Sequence, residues 1–444
     1  MHSTTNSTGF QGLSRRNLLG MGGALLLGGS VLSACSGGSG GADADDGTIG
    51  GTVRFAWWGN AARQEVYTDF AEAFQELEPE VTVQVEPAEY SGYVDRLSVQ
   101  ASGRNLPDVF WIPANQATSF AESGVFRDVE TLPDGILDLS EIPSEQVEAW
   151  KLDGQQVAPV YSQYSVAIQV DRTAFDDAGI TDLPDDESWD WTDFLDLAAE
   201  YSNATSEDSW GIASQAAFYQ HAHMWIRQHG AEVFDTDGNI AFEPEVLEEW
   251  YAFWQRGIES GAVMPTEISG SETQWTQTGH RTGLYLVQLN QFRDNANFSS
   301  DHELELCKYP VHPDASDDYQ FRYYTRICIA ETTQNAATAG ALVNYMLNDP
   351  SGADAVGLAS GIPVNPTVVD RIREIGEDVD LQIIEMQDRI NEQPMRERPE
   401  PPPAGADWQS LIETSADNIF NGGQPIAETV QAAMADLQQQ LDRG

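Results

Sequence analysis

Apolar and polar positions alternate along this chain in two rhythms. Thr52-Val53-Arg54-Phe55-Ala56-Trp57-Trp58-Gly59 is a strand-like run closed by a glycine turn, and Arg63 to Leu77 then carries apolar residues at helical spacing with acidic residues between them. Val81 to Val85 reads as a second strand, Gly92 to Ser102 as a second helix, and Asp108 to Ile112 as a third strand. Strands alternating with helices imply βαβ crossovers and a mostly parallel sheet. Ligands collect at the carboxyl ends of such strands, so Trp57, Trp58 and Trp111 are candidates by position.

A later block is richer in helix. Val157 to Tyr161 leads into Val166 to Asp171, followed by a short helix from Thr173 closed at Gly179. A helix starts at Trp191 with Thr192 as its N-cap, and Phe194, Leu195, Ala198 and Ala199 form its apolar face. Glu245 to Glu259 is amphipathic, Thr282 to Leu289 is a buried strand, and Ile426 to Leu441 is a terminal helix. The prolines between Pro394 and Pro403 read as a stiff surface connection. Roughly 400 residues after the N-terminal region exceed what one core organises, so about two domains are expected.

The N-terminal region has a different grammar. Arg15-Arg16 precedes an apolar, glycine-interrupted segment and then Leu32-Ser33-Ala34-Cys35. This order resembles a twin-arginine export signal followed by a lipobox, in which Cys35 becomes the lipid-bearing first residue. Leu18 to Ala34 falls short of the ~20 apolar residues of a membrane span. Residues 1–35 are thus read as signal and 36–50, rich in Gly, Ser and Asp, as a flexible leash. Gly37, Ser39 and Gly41 match the serine-hydrolase spacing, but no strand precedes them and no helix follows.

Charge narrows the partners. The chain holds 71 acidic and 22 basic residues, a formal net charge of -49. Such self-repulsion is screened at molar salt, where the Debye length falls to about 3 Å, so a salt-adapted surface of halophilic type accounts for it. Nucleic acid and anionic lipid surfaces are excluded as partners. With 41% hydrophobic residues, the chain has the material for packed cores. His221, His223 and His229 cluster, but His221 and His223 point to opposite sides of a helix, so no metal site is assigned, and no cofactor motif occurs. Cys307 and Cys328 are either a disulfide or two buried thiols.

A family resemblance spans almost the whole body. It is carried by Leu106-Pro107-Asp108-Val109-Phe110, Gly124-Val125-Phe126-Arg127-Asp128-Val129, Asp153-Gly154-Gln155-Gln156-Val157-Ala158-Pro159 and Gln169-Val170-Asp171-Arg172-Thr173-Ala174-Phe175. Trp189-Asp190-Trp191-Thr192-Asp193-Phe194, Thr278-Gly279-His280-Arg281-Thr282-Gly283 and Gly361-Ile362-Pro363 continue it. In this order the blocks resemble an extracellular solute-binding protein of the sugar-binding class, the receptor of an ATP-driven importer. Two departures are Gln169-Val170-Asp171, where the family more often has tyrosine-asparagine, and Leu289-Asn290, where many members have a stacking tryptophan.

The resemblance implies an α/β fold of two lobes, each a mostly parallel sheet flanked by helices, joined by a multi-strand hinge. Residues 51–160 with 296–333 would form the N-terminal lobe and 161–295 with 334–444 the C-terminal one. It implies a monomeric, lipid-anchored, non-catalytic receptor on the extracellular face of the membrane, which binds a carbohydrate and delivers it to a permease; the alternative reading is a secreted carbohydrate-active hydrolase, or a receptor of the same fold for a non-sugar solute. Sugars need flat apolar faces for their C–H side and planar polar groups for their hydroxyls. The candidates on the first wall are Trp57, Trp58, Tyr90 and Asp108, with Tyr161 and Tyr164 at the hinge. On the opposite wall they are Trp225, Trp275, Gln288, Asn290, Tyr323, Tyr324 and Arg326. Asp108 reads equally well as a turn or cap.

Overall fold

A computed structural model describes residues 47–443 except 149, 153, 206–207, 270–274, 276–280 and 397. The signal, Cys35 and most of the leash lie outside the described residues. In chain order the first elements are β1 (Gly51–Trp58), α1 (Ala61–Leu77), β2 (Val81–Ala88), α2 (Tyr90–Ser102) and β3 (Val109–Ile112), close to the expected ranges. β1 pairs in parallel with β2 and β3. Tyr67, Phe70, Ala71 and Phe74 recur at i, i+3, i+4 and i+7 on α1, and this stripe is the buried face. The Asn60 side chain accepts from the Arg63 amide and caps that helix beside the end of β1.

The chain then passes through β4 (Val160–Tyr164) and β5 (Val166–Asp171), separated by Ser165 alone. Helices α3 (Trp191–Ala204), α4 (Tyr219–Gln228) and α5 (Pro244–Ser260) follow, then β6 (Leu284–Gln288), α6 (Leu289–Phe298) and β7 (Leu304–Cys307). The chain returns on β8 (Tyr323–Ile329), α7 (Ala336–Asn348), α8 (Pro350–Val356) and β9 (Ile362–Pro363). It ends with α9 (Pro366–Ile375), α10 (Asp378–Asn391), α11 (Trp408–Phe420) and α12 (Ile426–Leu441).

Two sheets organise this path. The first has the order β9-β4-β8-β3-β1-β2, and the second β6-β5-β7. One core surrounds the first sheet and runs from Val53 to Tyr161 and from Ile327 to Leu347, with Val364. Two further clusters cover the second sheet on either side, one holding Trp191, Trp250 and Trp254 and the other Val287, Phe292 and Ile384. Burying aromatic and aliphatic side chains in separate bodies this way is worth roughly 25 cal/mol per Å² of apolar surface in each.

Several expectations are corrected. The second sheet is antiparallel throughout, β6 and β7 each running opposite to the central β5. In the first sheet β8 and β9 also run antiparallel to their neighbours. The lobe boundaries shift too. β7 pairs with β5, which puts 304–307 in the second lobe, and α7 packs in the first core, which puts 336–347 in the first. The cap of α3 is Asp190 rather than Thr192: its carboxylate accepts from the amides of Thr192 and Asp193, while Asp193 accepts from the Asp190 amide.

The chain crosses between lobes at Ser165, at Phe321–Arg322 and after Pro363. Ser165 ties the crossings together: its hydroxyl donates to the Phe321 carbonyl, its carbonyl accepts from the Leu289 amide, and the Gln387 amide donates to its oxygen. Gly361 sits at φ +117, where a Cβ would lie 2.6 Å from the Gln163 carbonyl, so glycine alone fits this turn beside β4. Cys307 and Cys328 are buried free thiols, one on each sheet.

Residues 394–405 do more than connect. Arg227 donates to the Arg396 carbonyl, and the Arg396 amide donates to the Asp318 carbonyl, both in the second lobe. Glu400 pairs with Arg326 on β8 of the first sheet, and Arg398 lies over the Tyr323 ring. The expected surface connection is a strap fastened to both lobes.

Candidate ligand-binding cleft

A cleft of about 840 Å³ opens between the lobes. The first lobe offers Trp58, Tyr90 and Trp111, which cluster edge to face: Trp58 lies 5.1 Å from Trp111 and 5.7 Å from Tyr90, ring centre to ring centre. The end of β1 presents Trp58, the last turn of β3 presents Trp111 and Ile112, and the start of α2 presents Tyr90. The opposite wall offers Phe218 and Tyr219 at the start of α4, Tyr285 and Gln288 on β6, and Asn290, Gln291 and Asp294 on α6. Gln409, Glu413, Ala416, Asp417 and Phe420 complete it from one face of α11. Tyr164 and Tyr324 line the hinge end.

Among the described residues, hydrogen bonds reach across the cleft at two places. Asn60 Nδ2 donates to Asp294 Oδ2 at 3.1 Å, and the Tyr90 hydroxyl donates to Gln409 Oε1 at 3.5 Å. Burial, and then the Glu413 carboxylate, push the Tyr90 hydroxyl up to about 12, so it keeps its proton and remains a donor. Burial likewise raises the Tyr164 and Tyr219 hydroxyls well above the usual range. Asn290 Oδ1 is buried with no hydrogen-bond partner among the described residues, and Gln288 is buried on the same wall. Polar atoms held this way are pre-set to take hydroxyl groups.

Of the candidates read from sequence, Trp58, Tyr90, Tyr164, Gln288, Asn290 and Tyr324 line the cleft. Trp57 does not. Successive strand residues face opposite sides, and Trp57 points under α1, fully buried 4.8 Å from Phe55 and 5.8 Å from Tyr67. Tyr161 is buried beside the hinge, its hydroxyl 3.0 Å from that of Tyr67. Asp108 lies outside the cleft: it accepts from the Arg54 amide of β1 and from the Thr333 hydroxyl, tying two segments of the first lobe together. Trp225 packs among Trp191, Trp250 and Phe253, and Trp275 is buried with its indole donating to the Thr282 carbonyl. Tyr323 stacks on Tyr164 behind the cleft, and Arg326 serves the strap. The histidines are structural as well. His221 stacks on Tyr309 and is pushed by burial down to about 3, and His223 bonds to Glu232.

Sequence reading missed Asn60, Arg63, Gln220, Tyr285 and the whole face of α11. The α11 signal was present: Gln409, Glu413, Asp417 and Asn421 recur every four residues, a polar stripe beside the buried face of Trp408, Ile412, Ala416 and Ile419.

Two α/β lobes, three crossing segments and a polar, aromatic-walled cleft between them define a hinged ligand trap. The chain belongs to the bacterial extracellular solute-binding protein family, whose pattern it matches over residues 69–382. Solved structures share its fold. A periplasmic solute-binding protein of Pectobacterium atrosepticum is 21% identical with a TM-score of 0.76, the alignment covering 88% of this chain and 99% of that one. An oligogalacturonide-binding protein of Yersinia enterocolitica, in complex with saturated digalacturonic acid, is 19% identical with a TM-score of 0.78 over 88% and 99% of the two chains. The GacH receptor of Streptomyces glaucescens, solved unliganded and with acarbose, is 16% identical with a TM-score of 0.73 over 89% and 99%. Among the described residues no helix is long and apolar enough to cross a membrane.

Proposed function

We propose that this solute-binding receptor captures a carbohydrate between its lobes and hands it unchanged to a membrane permease. One observation carries the reading: aromatic rings on both walls stand among amides and hydroxyls, across a cleft near the upper end of the ~300–1,000 Å³ usual for small-ligand sites. Rings take the C–H face of a pyranose, and Gln288, Asn290 and the tyrosine hydroxyls take its hydroxyl groups. Ligand bridging both walls stabilises the closed state by its differential contacts, and the permease reads that state. The neighbours that bind galacturonides or acarbose support a saccharide in general terms.

A saccharide panel followed by thermal shift in high salt tests the proposal. Binding raises the melting temperature and the sugar is recovered intact; released product would make the chain a hydrolase. Trp58→Ala is expected to weaken the bound sugar about 10- to 100-fold, because a stacked indole at the centre of a site is a typical anchor. Its melting temperature should stay near that of the parent, since Trp58 is only partly buried at the end of β1. Equal affinity of parent and variant in calorimetry would remove Trp58 from the site.

Anchoring and surface belong to the same proposal. Cys35 would carry lipid after cleavage of the signal, and the net charge of -49 would suit concentrated salt. Cys35→Ser should move the protein from the membrane fraction into the medium, read by fractionation and blotting. Retention in the membrane would point to another anchor.

A further inference from the structure

The second-lobe wall of the cleft holds buried polar side chains that the fold leaves unused. Ser214, Tyr285 and Gln288 line the cleft yet are only 6%, 3% and 6% exposed, and among the described residues none of these side chains makes a hydrogen bond. Gln288 precedes α6 without capping it through its side chain. Burial raises the Tyr285 hydroxyl above its usual range, and no hydrogen bond acts on it. Neighbouring amides are treated differently. Gln215 donates to the Leu286 carbonyl at 2.8 Å and accepts from the Leu286 amide at 2.7 Å, which pins Ser214 beside β6. Asn295, buried at the same wall, donates to Gln169.

Native folds rarely leave buried polar groups unpaired, because each then carries the full cost of its desolvation. Solvent can serve these side chains while the lobes stand apart, but closure on a ligand expels it, and the ligand must supply the partners instead. All of them are neutral. The serine and tyrosine hydroxyls both donate and accept, and the Gln288 amide offers a donor and an acceptor in one plane, a match for hydroxyls on adjacent ring carbons. Tyr285 and Gln288 leave β6 on opposite faces, so these groups wrap around the carboxyl end of the strand.

We infer that Ser214, Tyr285 and Gln288 form the specificity-determining subsite of the cleft, which reads the free hydroxyls of one sugar ring, whereas Trp58 supplies affinity indifferent to them. The inference rests on the carbohydrate reading above and adds a division of labour to it. A sugar lacking a hydroxyl that is read strands a buried donor or acceptor, and sites built this way discriminate far more sharply than apolar pockets do.

Glucose, cellobiose, maltose and galactobiose, each with its monodeoxy derivatives, test it by calorimetry in high salt. The proteins compared are the parent, Ser214→Ala, Tyr285→Phe, Gln288→Met and Trp58→Ala. For a sugar that binds, at least one deoxygenation should weaken the parent complex about 10- to 100-fold. The same deoxygenation should cost little in the second-lobe variant that has already lost the partner, and its full factor in Trp58→Ala. A purely structural role is read separately, in the melting temperature without sugar. Because these side chains make no contact that the fold depends on, each second-lobe variant should melt at or above the parent temperature. Deoxygenation penalties unchanged in every second-lobe variant, or ligand-free melting temperatures lowered in all of them, would overturn the inference and leave the carbohydrate reading standing. Absence of binding by every one of these sugars would overturn both.

Discussion

Glu232→Ala is expected to cost about 3–5 kcal/mol of folding stability, the loss typical when one member of a buried ion pair is removed. Arg227 is fully buried on α4, and its guanidinium donates to Glu232 and to the carbonyls of Tyr319, Gln320 and Arg396. Glu232 also accepts from His223 and from the Val233 amide. Without the carboxylate, Arg227 keeps its charge in an apolar setting with carbonyl dipoles alone. Burial holds His223 below its ordinary value, so near neutral pH Arg227 is the charged partner and the neutral imidazole donates through Nε2.

The pH dependence follows from the same network. Burial pushes the Glu232 carboxyl up, but His223, Arg227 and the Val233 amide outweigh it and carry the value from 4.5 down to about 2. A depressed carboxyl stabilises the fold above its unfolded value, and that stabilisation is lost between about pH 4.5 and 2. His221 and His223, held neutral by burial, act with the same sign from about 6.5 downward, because the unfolded chain takes protons there that the folded one refuses. Urea midpoints measured from pH 8 to 3 should therefore fall in two stages in the parent. In Glu232→Ala the lower stage should shrink while the upper remains, the depressed carboxyls of Asp138, Glu187, Asp235 and Asp318 accounting for what is left of it. Glu232→Gln, which keeps the shape and an acceptor, should recover part of the stability at pH 7. A parent whose midpoint is flat below pH 5 would contradict this account.

What the sequence disclosed follows from where local pattern decides. β1 to β3 with α1 and α2 were legible because period-2 and period-3.6 stripes agree with burial on one lobe. The terminal helix Ile426–Leu441 was legible for the same reason. Strand direction in the second sheet was not, since Val166–Asp171 and Leu284–Gln288 are apolar on both faces and carry no signal of orientation. Adjacent Trp57 and Trp58 look equivalent in sequence, yet one is buried under α1 and the other faces the cleft. Arg326 sits among polar neighbours in the sequence, which reads as a ligand contact. Its real partner lies 74 residues away on the strap, a distance no local pattern spans.

Glu400→Ala is expected to lower stability by about 2–3 kcal/mol, less than a fully buried pair because Glu400 remains partly exposed. Its larger consequence is mechanical. The strap is fastened to the second lobe through the Asp318 carbonyl and Arg227, and to the first through Arg326 and the ring of Tyr323. Pro403–Asp407 also pack against the helix Ala117–Glu122 of the first lobe. Opening the hinge must stretch the strap, break the Arg326 pair or carry the segment along, so the pair biases the molecule toward closure. Releasing it should raise the open population and weaken ligand by the fraction lost from the binding-competent state. Small-angle scattering of the ligand-free protein should then give a larger radius of gyration for Glu400→Ala than for the parent. Saturating ligand should bring the two values together, because bound ligand restores the closure that the pair had favoured. Equal radii without ligand, with a lowered melting temperature, would reduce the pair to a purely structural contact and leave the three crossings at Ser165, Phe321 and Pro363 as the whole of the hinge.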